Sequence, residues 1–213
     1  MTLPALLERD DVERVTDPER LRALAPMLDD LFQRAPDASP FQSPHWLIPW
    51  VEHLGGGAAL RWLVIVRGGR AIASVPLMMH EDGGTRTLRW VGSGITDRQN
   101  LVIDPDQRGV ALPRVRRALA ELAAEVDAVE LDELPDPSRE PWATLDGARL
   151  ERGSVCPVLA LQSPLHELEA SLPRWLRRNL RQTERRLLQL GRVEWHLARA
   201  GDSDLLETFL ELH

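Results

Sequence analysis

Three closely spaced β-strands, predicted at residues 60–66, 71–79 and 85–91, constrain the fold more than any other feature of the chain. Two glycine-containing segments, at 67–70 and 81–84, join them. Connections of this length and composition are typical of β-hairpins. The sequence therefore predicts an antiparallel meander.

A strand-to-helix turn follows the meander and occupies residues 90–125. Its pattern predicts a glycine-containing loop, a short strand at 101–103, a turn at 104–109 and a helix at 111–125. Where a strand turns into a helix, free backbone N–H groups and the positive end of the helix dipole can hold a phosphate. A further strand, at 128–131, is reached through this helix, so we expect it to run parallel to strand 101–103.

Two helices are predicted before the meander, behind a short strand at 12–15. The first begins within Thr16–Glu19, which combines a capping residue, a proline at the first helical position and a glutamate at capping-box spacing. The second begins at Ser43 and carries Trp46 and Trp50 about one turn apart. These two tryptophans either line a pocket for an acyl chain or a ring, or they bury the helix against the sheet; we favour burial.

Taken in order, these elements predict a mixed α+β fold. Its central mixed sheet contains the antiparallel meander and has helices on both faces. A short helical piece around Trp142 and strand-like segments at 148–152 and 155–161 complete the first domain. We assign this domain to residues 1–162.

Beyond residue 162 the chain becomes helical and basic, with helices predicted at 165–172 and 173–190. At about 100° per residue, leucines fall on one side of the longer helix and five arginines on the other. The five are Arg174, Arg177, Arg178, Arg181 and Arg185. They form either a solvated face, which we favour, or a surface that binds phosphate or carboxylate groups bidentately. We assign residues 163–192 to a basic helical linker.

A strand at 193–197 and an amphipathic helix at 204–213 end the sequence. One strand and one helix cannot close a hydrophobic core. We therefore expect residues 193–213 to be the start of a second, truncated domain. Its apolar face would pack against the missing part of that domain or drive self-association.

The composition narrows the classes of function. All 26 basic residues are arginine, which we attribute to coding bias in a GC-rich genome and which excludes lysine Schiff-base chemistry. The net charge of −7 argues against general nucleic-acid binding. The single cysteine, Cys156, excludes an internal disulfide, and the six histidines lack metal-ligand spacing. Since neither a signal peptide nor a membrane-spanning run is evident, we expect a cytoplasmic protein.

Four motifs carry a family resemblance. They are PFQSPHW at 40–46 followed by Trp50, VPL at 75–77, the loop at 92–101 with Asp97, and LRRNLRQTERRL at 176–187. With the order of the elements, they resemble the GNAT N-acyltransferase fold. More specifically, they are similar to the N-terminal half of bacterial CelD-type proteins, which are tandem GNAT proteins related to the FemABX aminoacyltransferases.

The resemblance implies transfer of an acyl group from acyl-CoA, such as acetyl-CoA, to a small-molecule amine. In such tandem proteins the first unit commonly serves as a scaffold and the second is catalytic. The resemblance therefore implies that this chain is inactive alone and binds no cofactor tightly. Two alternatives stay open: a noncatalytic GNAT-like binding or dimerisation module, and a transferase that uses aminoacyl-tRNA.

The resemblance also indicates two sites within the first domain. In a working GNAT domain, glycines before the central helix let the backbone approach the CoA pyrophosphate. Aligned on Arg108 and Gly109, this chain has Ala111 and Pro113 where small, flexible residues are required, and the proline removes one N–H. We favour a structural turn there over a cofactor site. Asp97 either orients or deprotonates an acceptor amine, or braces its own loop, which is commoner for Asp in a turn.

Overall fold

The chain forms two compact units, Met1–Ser154 and Val155–His213. A computed structural model describes residues 11–135, 142, 147–153, 155–157, 159, 164–197, 199 and 203–212. These residues form two β-sheets and six α-helices. The mixed α+β fold class predicted from the sequence is therefore confirmed.

The first unit contains eight strands and three α-helices among its described residues. In chain order they are β1 (Asp11–Val15), α1 (Pro18–Gln33), α2 (Pro44–His53), β2 (Ala59–Leu60), β3 (Trp62–Arg67), β4 (Arg70–Val75), β5 (Leu77–Asp82), β6 (Thr85–Trp90), β7 (Val102–Ile103), α3 (Arg108–Ala123) and β8 (Ala128–Glu130). Short 3₁₀ turns at Pro40–Gln42 and Pro105–Gln107 precede α2 and α3.

Two four-stranded sheets, ordered β1-β3-β4-β7 and β2-β5-β6-β8, share the meander. All neighbouring strands are antiparallel except β6 and β8, which are parallel. The long strand predicted at 71–79 is divided at Pro76, which has no N–H to donate to a ladder. Its first half, β4, belongs to one sheet and its second half, β5, to the other. The Val91 N–H still donates to the Pro76 carbonyl at 2.9 Å, so the division is a bend in one strand.

Helices cover both faces of β3, as the sequence predicted. Trp62, Val64 and Val66 point into a core shared with α1 and α2. The intervening Leu63 and Ile65 point into a second core shared with α3. Because successive side chains of a strand face opposite sides, this run of five buried residues is typical of a strand enclosed between two layers.

The helix starts predicted before the meander are confirmed. The Asp17 carboxylate accepts hydrogen bonds from the backbone N–H groups of Glu19 and Arg20. The Ser43 hydroxyl accepts one from the Trp46 N–H, with Pro44 at the first helical position. Both caps satisfy N–H groups that have no partner inside the helix.

The partner predicted for strand 128–131 is wrong. β8 runs parallel to β6, with Leu88 opposite Val129, and not beside β7. β7 pairs with β4 in the other sheet, with Ser74 opposite Val102. After β6 the chain leaves one sheet and enters the other, so the free edge of β6 is left for β8.

The described residues of the second unit include three helices, α4 (Leu165–Ser171), α5 (Arg174–Leu190) and α6 (Ser203–Leu212). These helices agree with the predicted ones. The strand predicted at 193–197 is wrong, because this segment has no regular secondary structure and Trp195 is 95% exposed. An extended segment becomes a strand only when a neighbour supplies hydrogen-bond partners.

The strands predicted at 148–152 and 155–161 fail for the same reason. Residues 148–152, 155–157 and 159 form no strand, and Cys156 is exposed. The rest of segment 155–161 lies outside the described residues, as does all of the helical piece predicted around Trp142 except Trp142 itself, which lies in a 3₁₀ turn.

Candidate functional site

The segment that connects β6 to β7 brings several predicted site residues together. We call residues 92–100 the exit loop. It begins where β6 leaves its sheet at Trp90 and ends just before the chain pairs with β4 again at Val102. β6 and β7 therefore run in one direction along the two halves of the bent strand, with the exit loop between them.

Side chains from the segment before α2 hold the exit loop. The Gln42 amide donates to the carbonyls of Asn100 and Leu101, at 3.2 and 3.1 Å. The Trp46 indole donates to the Thr96 hydroxyl at 3.1 Å. The motif at 40–46 is thus an anchor for the loop at 92–101, which explains why both belong to one pattern in the sequence.

The inner side of the exit loop is polar and buried. Thr96 and Gln99 are each 3% exposed. The Gln99 amide N–H donates to the Val91 carbonyl at 3.4 Å, while its oxygen has no partner among the described residues. Gly92 has a φ of +89°, and a Cβ built on it would overlap the Thr96 side chain. The loop is therefore closely packed where it leaves the sheet.

Asp97 lies on the outer side of this loop, where its side chain is exposed. Trp46 is 40% exposed and packs edge-to-face on Phe41, with ring centroids 5.5 Å apart. Trp50 instead packs against the core beneath α2. The structure brings Trp46 and the loop of Asp97 together, whereas Trp50 contributes to packing.

The carboxyl ends of the parallel strands β6 and β8 are joined. Ligands of parallel sheets bind beyond the carboxyl ends of the strands. Here the Ser93 hydroxyl, just after β6, lies 2.9 and 3.1 Å from the two carboxylate oxygens of Asp132, just after β8. The two ends are therefore linked to each other by a hydrogen bond.

The turn into α3 is the predicted pyrophosphate position. The 3₁₀ turn at Pro105–Gln107 leads directly into α3, which begins at Arg108, three residues earlier than predicted. Ala111 and Pro113 consequently lie inside the helix, not in a loop around its N-terminus. Gly109 is exposed and Arg108 half-buried within the first helical turn.

A carboxylate of the chain itself occupies the N-terminus of this helical segment. Asp104 caps it by accepting a hydrogen bond from the Asp106 N–H at 3.0 Å. The other oxygen of Asp104 forms an ion pair with Arg34 of α1. The Asp104 side chain is only 13% exposed. Asp104 therefore caps the 3₁₀ turn and is paired with Arg34, whereas the N-cap of α3 itself, Gln107, makes no side-chain cap hydrogen bond.

Arg34 joins this carboxylate to a wider polar network. It also donates to Asp30 at 3.1 Å and to the Ala71 carbonyl at 2.7 Å. Arg70 donates to the same Asp30 at 3.2 Å. Partial desolvation raises the pKa of Asp30, but hydrogen bonds from Arg70 and Arg34 outweigh it and hold this pKa below its usual value. Asp30 therefore stays ionised and helps to position Arg34.

A groove of about 830 Å³ lies on the other side of α3, between its second half and β8. Its floor is mostly apolar and includes Leu119, Val129 and Trp142. The acidic residue on its wall, Asp127, accepts a hydrogen bond from the Arg86 N–H at 2.8 Å. The described residues therefore give this groove a binding surface without a free catalytic acid or base.

The second unit places the arginine stripe on one groove. Arg174, Arg177, Arg178, Arg181 and Arg185 line a groove of about 650 Å³ along α5. The sequence prediction of their common side is therefore confirmed, while their role is not tested.

Neither a candidate metal cluster nor a membrane-spanning helix occurs among the described residues. They contain no group of three or more His, Cys, Asp or Glu side chains that could hold a metal ion. None of the described helices is both long and apolar enough to cross a bilayer.

Several solved structures resemble part of the chain. An aminoglycoside antibiotic 6′-N-acetyltransferase from Acinetobacter haemolyticus is 16% identical, with 71% of this chain and 99% of that chain aligned at a TM-score of 0.41. A ribosomal-protein-alanine N-acetyltransferase from Brucella melitensis biovar Abortus 2308 is 15% identical, with 70% and 98% aligned at 0.44. An acetyltransferase from Trypanosoma brucei is 21% identical, with 70% and 100% aligned at 0.41. No protein-family model matches the chain, and no curated protein matches it significantly.

Sequence reasoning missed the residues that close the turn. Asp104 was predicted only as part of a turn, and no role was predicted for Arg34. They lie 70 positions apart in the sequence. The available signal was an aspartate directly before a proline at a helix start, which is an N-cap pattern. Its ion pair could not be inferred without the packing of α1 against β4 and β7.

Proposed function

We propose that the first unit is the noncatalytic scaffold domain of a CelD-type GNAT N-acyltransferase. In the complete protein, acyl-CoA would be the donor and a small-molecule amine the acceptor. The chain motifs and the order of the elements support the family. The single observation that carries the noncatalytic assignment is Asp104 at the N-terminus of the helical segment that leads into α3.

Asp104 opposes cofactor binding by occupying a backbone N–H group at the turn into α3. A pyrophosphate needs the free N–H groups and the positive dipole at the start of the helix. In this chain the Asp104 carboxylate already accepts from the Asp106 N–H, in the 3₁₀ turn that leads into α3. Arg34 holds the carboxylate in place, so it cannot simply turn away.

One further feature supports the same assignment. The Ser93–Asp132 hydrogen bond joins the strand ends beyond which a ligand of a parallel sheet would bind. Asp97, Trp46, Arg108 and Gly109 are then structural residues of the scaffold in this proposal, and the tRNA-dependent alternative is set aside.

Calorimetric titration of acetyl-CoA into the full chain tests the proposal. We expect no saturable heat up to about 1 mM, which corresponds to binding weaker than about −4 kcal/mol. A CoA-binding acetyltransferase titrated in the same buffer serves as the positive control. Saturable binding with a Kd below about 100 μM, reduced by Arg108→Gln or Gly109→Val, would overturn the noncatalytic assignment.

The second candidate function is self-association through residues 193–213. It is favoured by the exposure of large apolar residues in α6, where Phe209 is 57% and Leu210 63% exposed. Light scattering over a range of concentrations tests it. We expect a mass above that of a monomer for the native chain and a monomer for Leu210→Glu. A monomer at all concentrations contradicts this candidate and leaves the first proposal intact.

A further inference from the structure

The most concentrated charge in the chain lies on α5. Its 17 residues contain six arginines and one glutamate, a net charge of +5. Since the whole chain carries −7, the remainder carries −12. A helix of opposite sign to the rest of the chain indicates a partner that is itself negative.

Glu169 and Glu184 line a groove with Arg177 and Arg181, but the arginine stripe has no salt-bridge partner among the described residues. Its five members, which line one groove with Gln182, follow one another at helical spacings of three and four residues. Like charges at these spacings repel each other. Among the described residues, no carboxylate forms a salt bridge with any of the five. The stripe is therefore available to an external anion, and guanidinium groups bind phosphates bidentately.

The opposite side of α5 is apolar and also uncovered. Trp175 is 65% exposed, Leu180 52%, Leu187 49% and Leu190 86%. No residue of this helix is buried. A helix that is strongly polar on average, with arginines on one side and Trp and Leu on the other, is typical of helices that lie in a membrane interface.

We propose that α5 binds the surface of an anionic lipid bilayer. The arginine stripe reaches lipid phosphates through its long side chains, while Trp175 and the leucines enter the boundary between headgroups and acyl chains. Arg186, near the border of the apolar side, reaches the same phosphates. A nucleic acid would also satisfy the arginines, but it would leave the apolar side in water. Of these two partners, only a lipid surface satisfies both sides of the helix.

The dimensions of α5 fit this placement. Seventeen residues at about 1.5 Å per residue give a length of about 25 Å. That is shorter than the hydrocarbon core of a bilayer, about 30 Å. The helix therefore lies along the surface, with its axis in the plane of the headgroups.

Vesicle binding of the full 213-residue chain tests the proposal. One set of vesicles is pure phosphatidylcholine and the other contains about a third phosphatidylglycerol; both are used at low and at physiological salt. Each basic residue near an anionic surface strengthens binding by about fivefold. We expect binding to the anionic vesicles only, weakened by salt. Binding to both sets alike, or to neither, overturns the proposal.

Two variants with the same net charge separate the stripe from charge in general. The first replaces all five stripe arginines by glutamine, which keeps helix propensity. The control replaces five exposed arginines outside α5 by glutamine as well. They are Arg22, Arg116, Arg117, Arg149 and Arg152. We expect the stripe variant to lose at least about 100-fold in anionic-vesicle binding and the control to lose less than about tenfold. Circular dichroism verifies that both keep their helices. Equal losses overturn the proposal.

Trp175→Ala separates a lipid surface from a nucleic acid. We expect it to weaken vesicle binding several-fold, because the indole partitions into the interface. A native chain that binds a 20-base-pair duplex but no anionic vesicle overturns the proposal in favour of a nucleic-acid partner. Unchanged vesicle binding by Trp175→Ala overturns the insertion of the apolar side.

Discussion

Replacement of Asp104 by alanine should remove two interactions that can be valued separately. The first is the helix cap on the Asp106 N–H, 3.0 Å away, whose loss costs about 1 kcal/mol. The second is the ion pair with Arg34, whose side chain is 23% exposed. Breaking a fully buried pair costs about 3–5 kcal/mol. Because Arg34 keeps its hydrogen bonds to Asp30 and the Ala71 carbonyl, we expect loss of this ion pair to lower the free energy of unfolding by about 2 kcal/mol. Together with the lost cap, Asp104→Ala should lower it by about 3 kcal/mol.

Asp104→Asn separates the two contributions. Asparagine caps helices as well as aspartate does, but it carries no charge for Arg34. We therefore expect a loss of about 2 kcal/mol, with the cap retained. In a double-mutant cycle with Arg34→Gln, the two losses should fail to add by about 1–2 kcal/mol. Urea unfolding followed by tryptophan fluorescence measures all four proteins.

An added anion provides a further test of the same reasoning. If Asp104 fills an anion position, Asp104→Ala leaves that position vacant beside Arg34 and the free N–H groups. Sulfate should then stabilise Asp104→Ala more than the native chain, because it binds the folded state of the variant selectively. A loss below about 1 kcal/mol for Asp104→Ala, or equal stabilisation of both proteins by sulfate, would refute the reasoning.

The remaining predictions concern the exit loop and the meander. Gly92→Ala should lower the free energy of unfolding by about 1–3 kcal/mol more than Gly94→Ala does. Both glycines have positive φ, but only Gly92 faces the Thr96 side chain. Equal midpoints of urea unfolding for the two variants contradict this prediction. Burial, and secondarily the charge of Arg89, lowers the pKa of His80. The unfolded chain therefore binds the proton more readily than the folded chain does. The neutral His80 side chain thus contributes its full stability above the ordinary histidine pKa, about 6.5. This contribution is lost as the pH falls towards the lowered pKa of the folded state. His80→Gln should flatten unfolding free energy between about pH 5 and 7, and an unchanged slope contradicts the assignment.

The meander was predictable because its signals are local. Hairpin turns at 67–70 and 81–84 fix which strands are neighbours; the β5–β6 register follows from its turn, whereas the β3–β4 register shifts between Ile65 and Val66. The helix starts at Asp17 and Ser43 were likewise recognised, since a cap acts within three or four residues of the chain.

The failures share a different cause. Segment 193–197 has the composition of a strand, yet nothing among the described residues pairs with it. β8 was assigned the wrong neighbour because the sequence does not indicate that Pro76 divides one long strand between two sheets. Whether a segment becomes a strand, and beside which other strand, depends on groups far away in the sequence.

At the turn into α3, the sequence determines some features of the site and the tertiary structure determines others. The sequence by itself determined that a helix starts there, that Pro113 removes an N–H, and that an aspartate precedes the first proline. Only the tertiary structure placed Arg34, at the end of α1, against that aspartate and so closed an ion pair at the turn. The physical reason is that these interactions act over different separations along the chain. Caps and propensities act over one helical turn, whereas the charge that fills a helix N-terminus can come from any part of the chain that folding brings within hydrogen-bond distance.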